Sequence, residues 1–259
     1  MDVFLLMLNG LFFSVVVMLL VWILYLTIKK AAIVDIGWSS VTALLGFFYY
    51  FQYPSLSLRK LLLLAALFFW GGRLTLHLIQ RLWMGQEDRR YDVLDKKFES
   101  YRIWKYLLFF QAQAVVATVL SLAFALVMAS EAAFQMSDFV AAVIFLLSFL
   151  GELKADQTMT QFRSDPQNKD QVCKVGLWKY SRHPNYFFEC LIWVSFALFA
   201  WPTPFGFLAW ISPAIITYSI LKVTGIPPTE EILLASKGEA YKEYQRTTSA
   251  LIPWFPKGS

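Results

Sequence analysis

The densest chemistry in this sequence lies between Gly176 and Glu189, GLWKYSRHPNYFFE, directly before the apolar run Cys190–Trp201. Pro184 suits the first turn of a helix, where its missing N–H costs nothing. From there Asn185 and Glu189 fall four residues apart on one face, with Trp193 one turn further. A carboxylate that close to a hydrocarbon span is expensive unless it faces a polar cavity or a partner. Arg182 and His183 at the helix start suit a phosphate, with help from the exposed N–H groups there. Asn185 both donates and accepts, as a partner for a carboxamide must, and Tyr186 stands in the same turn. The bland reading of these residues is a carboxylate paired with a nearby cation and a histidine satisfied by its neighbours.

Three further groupings carry polar chemistry. In GELKADQTMTQFR, Glu152, Asp156 and Arg163 share one face of a straight helix. A carboxylate there suits ribose hydroxyls, and an arginine grips a phosphate with its fork of donors; a solvated helix end with an internal ion pair is the alternative. Upstream, Asp35 precedes a stripe of Arg73, His77 and Arg81 spaced by four, followed by EDRRY from Glu87 to Tyr91. That stripe either lines a cavity or holds two helices together. The tail carries Glu230, Glu231, Tyr241, Tyr244 and Arg246, with Pro228 opening a helix and Gly238 interrupting it. It reads as a cover for a cofactor or as an interfacial helix.

The elements that must position these groups are membrane helices. Of 259 residues, 58% are hydrophobic and 16% charged, far too apolar for a soluble domain. Apolar runs near 4–28, 33–53, 61–83, 107–129, 136–154, 185–201 and 205–223 predict seven spans in an all-α polytopic protein. The first run, Phe4 to Ile28, exceeds a signal-peptide core, lacks a basic flank before it, and reads as a transmembrane helix. Lys and Arg concentrate at 29–30, 84–106, 155–184 and beyond 224, which predicts an external N-terminus and a cytosolic C-terminus; Arg59 and Lys60 break the pattern. The chain reads as one integral membrane domain, with residues 1–106 on the substrate side and 107–259 holding the cofactor. Two cysteines, Cys173 and Cys190, and two histidines indicate neither a disulfide framework nor a metal site. There is no GxGxxG, P-loop, GxSxG or HExxH. Nothing points to nucleic acid, and membrane lipids are the expected surroundings of a monomer.

The set Asp156, Arg163, GLW at Gly176, HPNYFFE at His183, the Tyr241/Tyr244 pair and the IPW tail resembles the steroid 5-alpha-reductase-like membrane family. DIGW at Asp35 and the EDRRY loop are similar to its bacterial branch, which implies an inner-membrane protein. The resemblance implies NADPH bound by Asp156, Arg163, Asn185 and Glu189. The wider expected cofactor set adds Arg182, His183, Tyr186, Trp193, Glu230, Tyr241 and Tyr244. It further implies reduction of a carbon–carbon double bond conjugated to a ketone on a lipid such as a 3-oxo-4-ene steroid. Tyr91, Glu87 and Asp35 are the nearest candidates, by type and expected depth, to polarise that ketone. A sister group, the isoprenylcysteine and phospholipid methyltransferases, shares the RHP turn and an acidic pair like Glu230–Glu231 and uses S-adenosylmethionine. Asn185 followed four residues later by Glu189 favours the reductases.

Overall fold

The computed structural model describes residues 2–83, 91, 94, 98 and 101–258; the candidate Glu87 lies outside the described residues. Ten α-helices can be followed among these: α1 Val3–Ile28, α2 Ile33–Gln52, α3 Leu58–Trp83, α4 Arg102–Leu120, α5 Leu122–Ala129, α6 Met136–Ser164, α7 Pro184–Ala200, α8 Ile211–Lys222, α9 Ile226–Lys237 and α10 Glu239–Thr247. No strand is present among the described residues beyond one isolated bridge, Ser181 to Ser249. Six helical runs are long and apolar enough to cross a membrane: α1, α2, α3, α4, α6 and the run Gly206–Lys237. The apolar α7, at 17 residues, is shorter. The chain is thus an all-α protein built as a multi-pass membrane protein.

Local chemistry explains the boundaries. Asp2 caps α1, its carboxylate accepting from the amides of Phe4 (2.9 Å) and Leu5 (3.3 Å). The span expected as one helix over 107–129 is divided at Ser121 into α4 and α5. There the Ser121 hydroxyl donates back to the Thr118 carbonyl at 2.7 Å, competing with the helical ladder. The fifth span, expected to end near 154, continues as α6 to Ser164, carrying the polar strip with it.

The chain divides into two compact units, and the division falls within α6, α7 and α8. One comprises residues 1–139 and 196–212, the other 140–195 and 213–259. In the first, α1 runs antiparallel to α2, with Asn9 bonded to Gln52 (2.9 Å) and Phe13 stacked on Phe48 (4.5 Å). It also runs antiparallel to α4, where Thr118 donates to Ser14 (3.1 Å) and Tyr25 meets Tyr106 (4.8 Å). Trp70 and Phe124 both pack edge-on against Phe196.

Arg59 and Lys60, the two cations that break the charge pattern, are fully buried. Arg59 Nε lies 3.3 Å from Asp138 Oδ1, with both side chains wholly enclosed, and one Nη donates to the Phe199 carbonyl at 2.5 Å. Lys60 Nζ donates to Ser55 (2.6 Å) and Glu131 (3.4 Å). Burial strengthens the attraction within such a pair but costs both ions their hydration, so the pair gains little net while removal of one partner is costly. Arg59→Met alone is expected to destabilise the protein by about 3–5 kcal/mol, whereas Arg59→Met with Asp138→Leu regains most of that. Thermal unfolding in one detergent, read for the two variants side by side, checks the difference.

Candidate functional site

Within the second unit, α6 and α7 run antiparallel and close together. A Cβ built on Gly151 of α6 would stand 2.5 Å from the ring of Phe188, so the ring fills the space that a side chain at 151 would take. Five residues along α6, Asp156 reaches Asn185 in the first turn of α7: Asn185 Nδ2 donates to Asp156 Oδ1 at 3.4 Å. The other end of that amide, Asn185 Oδ1, is buried and has no hydrogen-bond partner among the described residues. The loop between the helices is fastened by Trp178, whose indole donates to the Ala155 carbonyl at 3.0 Å.

One turn into α7, Glu189 accepts from the indole of Trp193 at 2.8 Å, and Trp193 is wholly buried. Glu152, 6% exposed, follows Gly151 on α6, and Glu189 follows Phe188 on α7, so the two acids stand at about one level of the helix pair, with Asp156 one turn further along α6. Arg163 is exposed on the last turn of α6, near Cys173, whose thiol is pushed up by burial and drawn back by the Val175 backbone and the Arg163 charge.

Arg182, His183, Tyr186, Glu230, Tyr241 and Tyr244 form a second cluster, which ties the start of α7 to the tail. Arg182 Nε donates to Glu230 Oε1 at 2.7 Å, and one Nη donates to the carbonyls of Gln245 (3.0 Å) and Thr248 (2.5 Å). The same Glu230 oxygen meets His183 Nε2 at 3.1 Å, and the other accepts from Gln245 Nε2 at 2.6 Å. The His183 ring stacks on Tyr186 at 5.3 Å. Tyr186 in turn lies 3.4 Å from the Thr229 hydroxyl. Tyr244 donates to the carbonyls of Trp178 and Ser181, and Tyr241 packs against it. Burial pushes both phenols well above the ordinary tyrosine range; the Glu230 carboxylate adds to this for Tyr241, and the Cys173 sulfur, then Tyr241, for Tyr244. The Tyr244 hydroxyl is the one that donates, to those two carbonyls, while the buried Tyr241 hydroxyl has no hydrogen-bond partner among the described residues.

The structure thus brings Asp156 to Asn185, and Arg182 and His183 to Glu230. Asp35, half-buried in the first turn of α2, and Tyr91, also half-buried, belong to the other unit. Glu231 is exposed, so only one member of the acidic pair enters the cluster. Sequence reasoning missed Gln245 and left Glu152 out of its final set. Gln245 carries no motif, and only its place beside Tyr244 on the amphipathic α10 marks it. For Glu152, position within an apolar helix was the available signal.

Residues 21–248 match a family described as a protein of unknown function (DUF1295). Among known proteins, the chain is similar to the uncharacterized protein C594.04c of Schizosaccharomyces pombe, 27% identical over 218 residues. The match covers 73% of this chain and 63% of that relative, so the chain spans less than two thirds of the relative's length.

Removing the shared acceptor should unfasten the tail. Glu230→Ala leaves Arg182 without a counter-charge and is expected to cost about 3–5 kcal/mol, while Glu231→Ala, on an exposed position, stays within about 0.5 kcal/mol. Limited proteolysis beyond Gly238 in the two variants reads the same difference locally.

Proposed function

Since the chain belongs to the DUF1295 family, within the steroid 5-alpha-reductase-like superfamily, we propose that it is an NADPH-dependent membrane reductase. Its substrate class is a lipid with a carbon–carbon double bond conjugated to a ketone, a 3-oxo-4-ene steroid being the model case. The observation that carries this reading is the buried, unpartnered Asn185 Oδ1 beside Asp156. A buried acceptor of that kind is costly unless a ligand donor meets it, and the carboxamide N–H of a nicotinamide is such a donor.

The residues fit a dinucleotide. Asp156 and Glu189 suit hydroxyl groups as acceptors, Arg163 suits a phosphate, and Asn185 suits the carboxamide. Trp193 holds the Glu189 carboxylate from below, and Asp156 orients the Asn185 amide. Arg182 and His183 act through the tail: with Glu230 they fix the first turn of α7 and thereby the direction of Asn185. Bound NADPH supplies a hydride for the β carbon of the enone. Negative charge then builds on the ketone oxygen, and a neutral donor must meet it. The Tyr91 phenol, or a protonated Asp35 or Glu87, is assigned that role.

Orientation belongs to the same proposal. With Arg59 and Lys60 each lying against a carboxylate, the remaining Lys and Arg support an external N-terminus and a cytosolic tail, α7 counting as the seventh crossing. A monomer in a bacterial inner membrane suits this arrangement. The S-adenosylmethionine reading rests on the RHP turn and Glu230. Arg182, His183 and Glu230 bond to one another, which supports a fastening role for them.

Two measurements test the proposal. NADP should raise the melting temperature of the purified protein and S-adenosylhomocysteine should not; the reverse result replaces the reductase with a methyltransferase. Arg163→Ala should weaken NADPH by about tenfold or more and NADH by far less if this arginine meets the 2′-phosphate. Equal losses for the two cofactors would refute that role.

A further inference from the structure

Among the buried polar atoms of the first unit that the proposed reaction does not use are Trp38 Nε1 on α2, and Nε2 and Oε1 of Gln111 on α4. None has a hydrogen-bond partner among the described residues. Helix registers place them within about one turn of each other along α1. Along α1, residue 9 faces 52 of α2 and residue 13 faces 48, while residues 14 and 25 face 118 and 106 of α4. Both α2 and α4 are thus antiparallel to α1 and parallel to each other. The pairings with α4 put Gln111 opposite residues 20–21 of α1. On α2, Gly37 approaches Val21 and Met18 of α1 (a Cβ built there would come within 3.2 Å of each), which puts its neighbour Trp38 at about the same height.

Helical phase turns them toward one seam, where the Trp38 ring also meets Trp70 of α3 edge-on at 6.5 Å. Trp38 lies eleven residues before Tyr49, about three full turns, and Gln111 lies seven before Thr118, about two turns, so each shares its reference residue's face. The Tyr49 hydroxyl meets Ser121 Oγ at 2.8 Å, and Ser121 Oγ donates to the Thr118 carbonyl. Thr118 itself donates to Ser14. Those hydroxyls satisfy one another at the far end of the seam; the indole and the amide further along do not.

We propose that this seam is a binding site for the hydroxyl of an otherwise apolar, uncharged lipid, held between Trp38 and Gln111. The chemistry selects the ligand. An indole only donates, whereas a carboxamide donates and accepts. A hydroxyl accepts from Trp38 Nε1 and Gln111 Nε2 and donates to Gln111 Oε1. A ketone leaves Gln111 Oε1 unmet, and a carboxylate brings a charge that neither neutral partner balances. The site stands on the first unit alone and is independent of hydride transfer.

The test uses the full chain in lipid nanodiscs, without added cofactor, and three diazirine-bearing probes: a long-chain alcohol, the matched ketone and the matched alkane. The alcohol should label peptides within 33–52 and 102–120 about tenfold more than either control, one buried hydrogen bond being worth roughly that factor. Gln111→Leu and Trp38→Phe should each remove most of that excess. Gln111→Leu should also leave the melting temperature of the unliganded protein unchanged or higher, because it deletes an unsatisfied amide. Equal labelling by alcohol and ketone, labelling that survives Gln111→Leu, or a lowered melting temperature for that variant overturns the proposal. A protein that fails to bind NADPH but passes this test loses the reductase reading alone.

Discussion

The guanidinium of Arg182 is the constraint on which the second unit depends. It lies two residues before the proline that opens α7, and its donors reach a carboxylate of α9 and two carbonyls at the end of α10. A planar fork is suited to this, since its donors diverge in fixed directions and an ammonium's do not. The result couples the start of the apolar α7 to the tail. The backbone repeats the coupling: the Arg182 amide donates to the Ser249 carbonyl, and the Trp254 amide to that of Tyr180. With the start of α7 fixed from one side by the tail and Trp178 seated on α6, Asn185 is directed at Asp156. The polar site thus depends on a fastening that never touches it.

The sequence made most of the helices legible because hydrocarbon leaves few options: a long apolar run must satisfy its backbone internally. It also showed the polar strip of α6 and the face shared by Asn185 and Glu189, since both follow from helical spacing. Other features were not legible. The break at Ser121 depends on a hydroxyl choosing a carbonyl three residues back, and many mid-helix serines make no such choice. The approach of α6 to α7 depends on Gly151 meeting Phe188, a pairing between distant positions. Arg182 is the clearest case. Beside a helix start it suggested an anion, and the anion it meets is Glu230, 48 residues away.

Charges within the first unit illustrate how a membrane protein keeps costly groups. Arg59 and Asp138 are both wholly enclosed. An isolated ion at such a position would lose its hydration without return, whereas as a pair they cost much less and hold α3 to the first turn of α6. The Phe199 carbonyl, near the end of α7, gives the guanidinium a further acceptor. Counting these cations as topological signals would mistake internal structure for a surface property.

The proposed dinucleotide site has no Gly-rich turn and needs another source of polar groups, which polar helix ends can provide. Within the hydrocarbon a carboxylate is excluded unless satisfied; beyond the interface it is hydrated and loses its directional strength. At the boundary, side chains on two close-packed helices are both dry enough to bind firmly and near enough to water to admit a polar ligand. Asp156, Asn185 and Glu189 lie on adjoining stretches of α6 and α7, and the exposed Arg163 extends this polar strip by about two turns of α6. In a Rossmann fold, backbone amides at a glycine turn cradle the phosphates. In the proposed site the corresponding work would fall to side chains whose positions are set by helix packing, and Gly151, with no polar atom to offer a ligand, serves it by leaving room for the Phe188 ring where α6 meets α7.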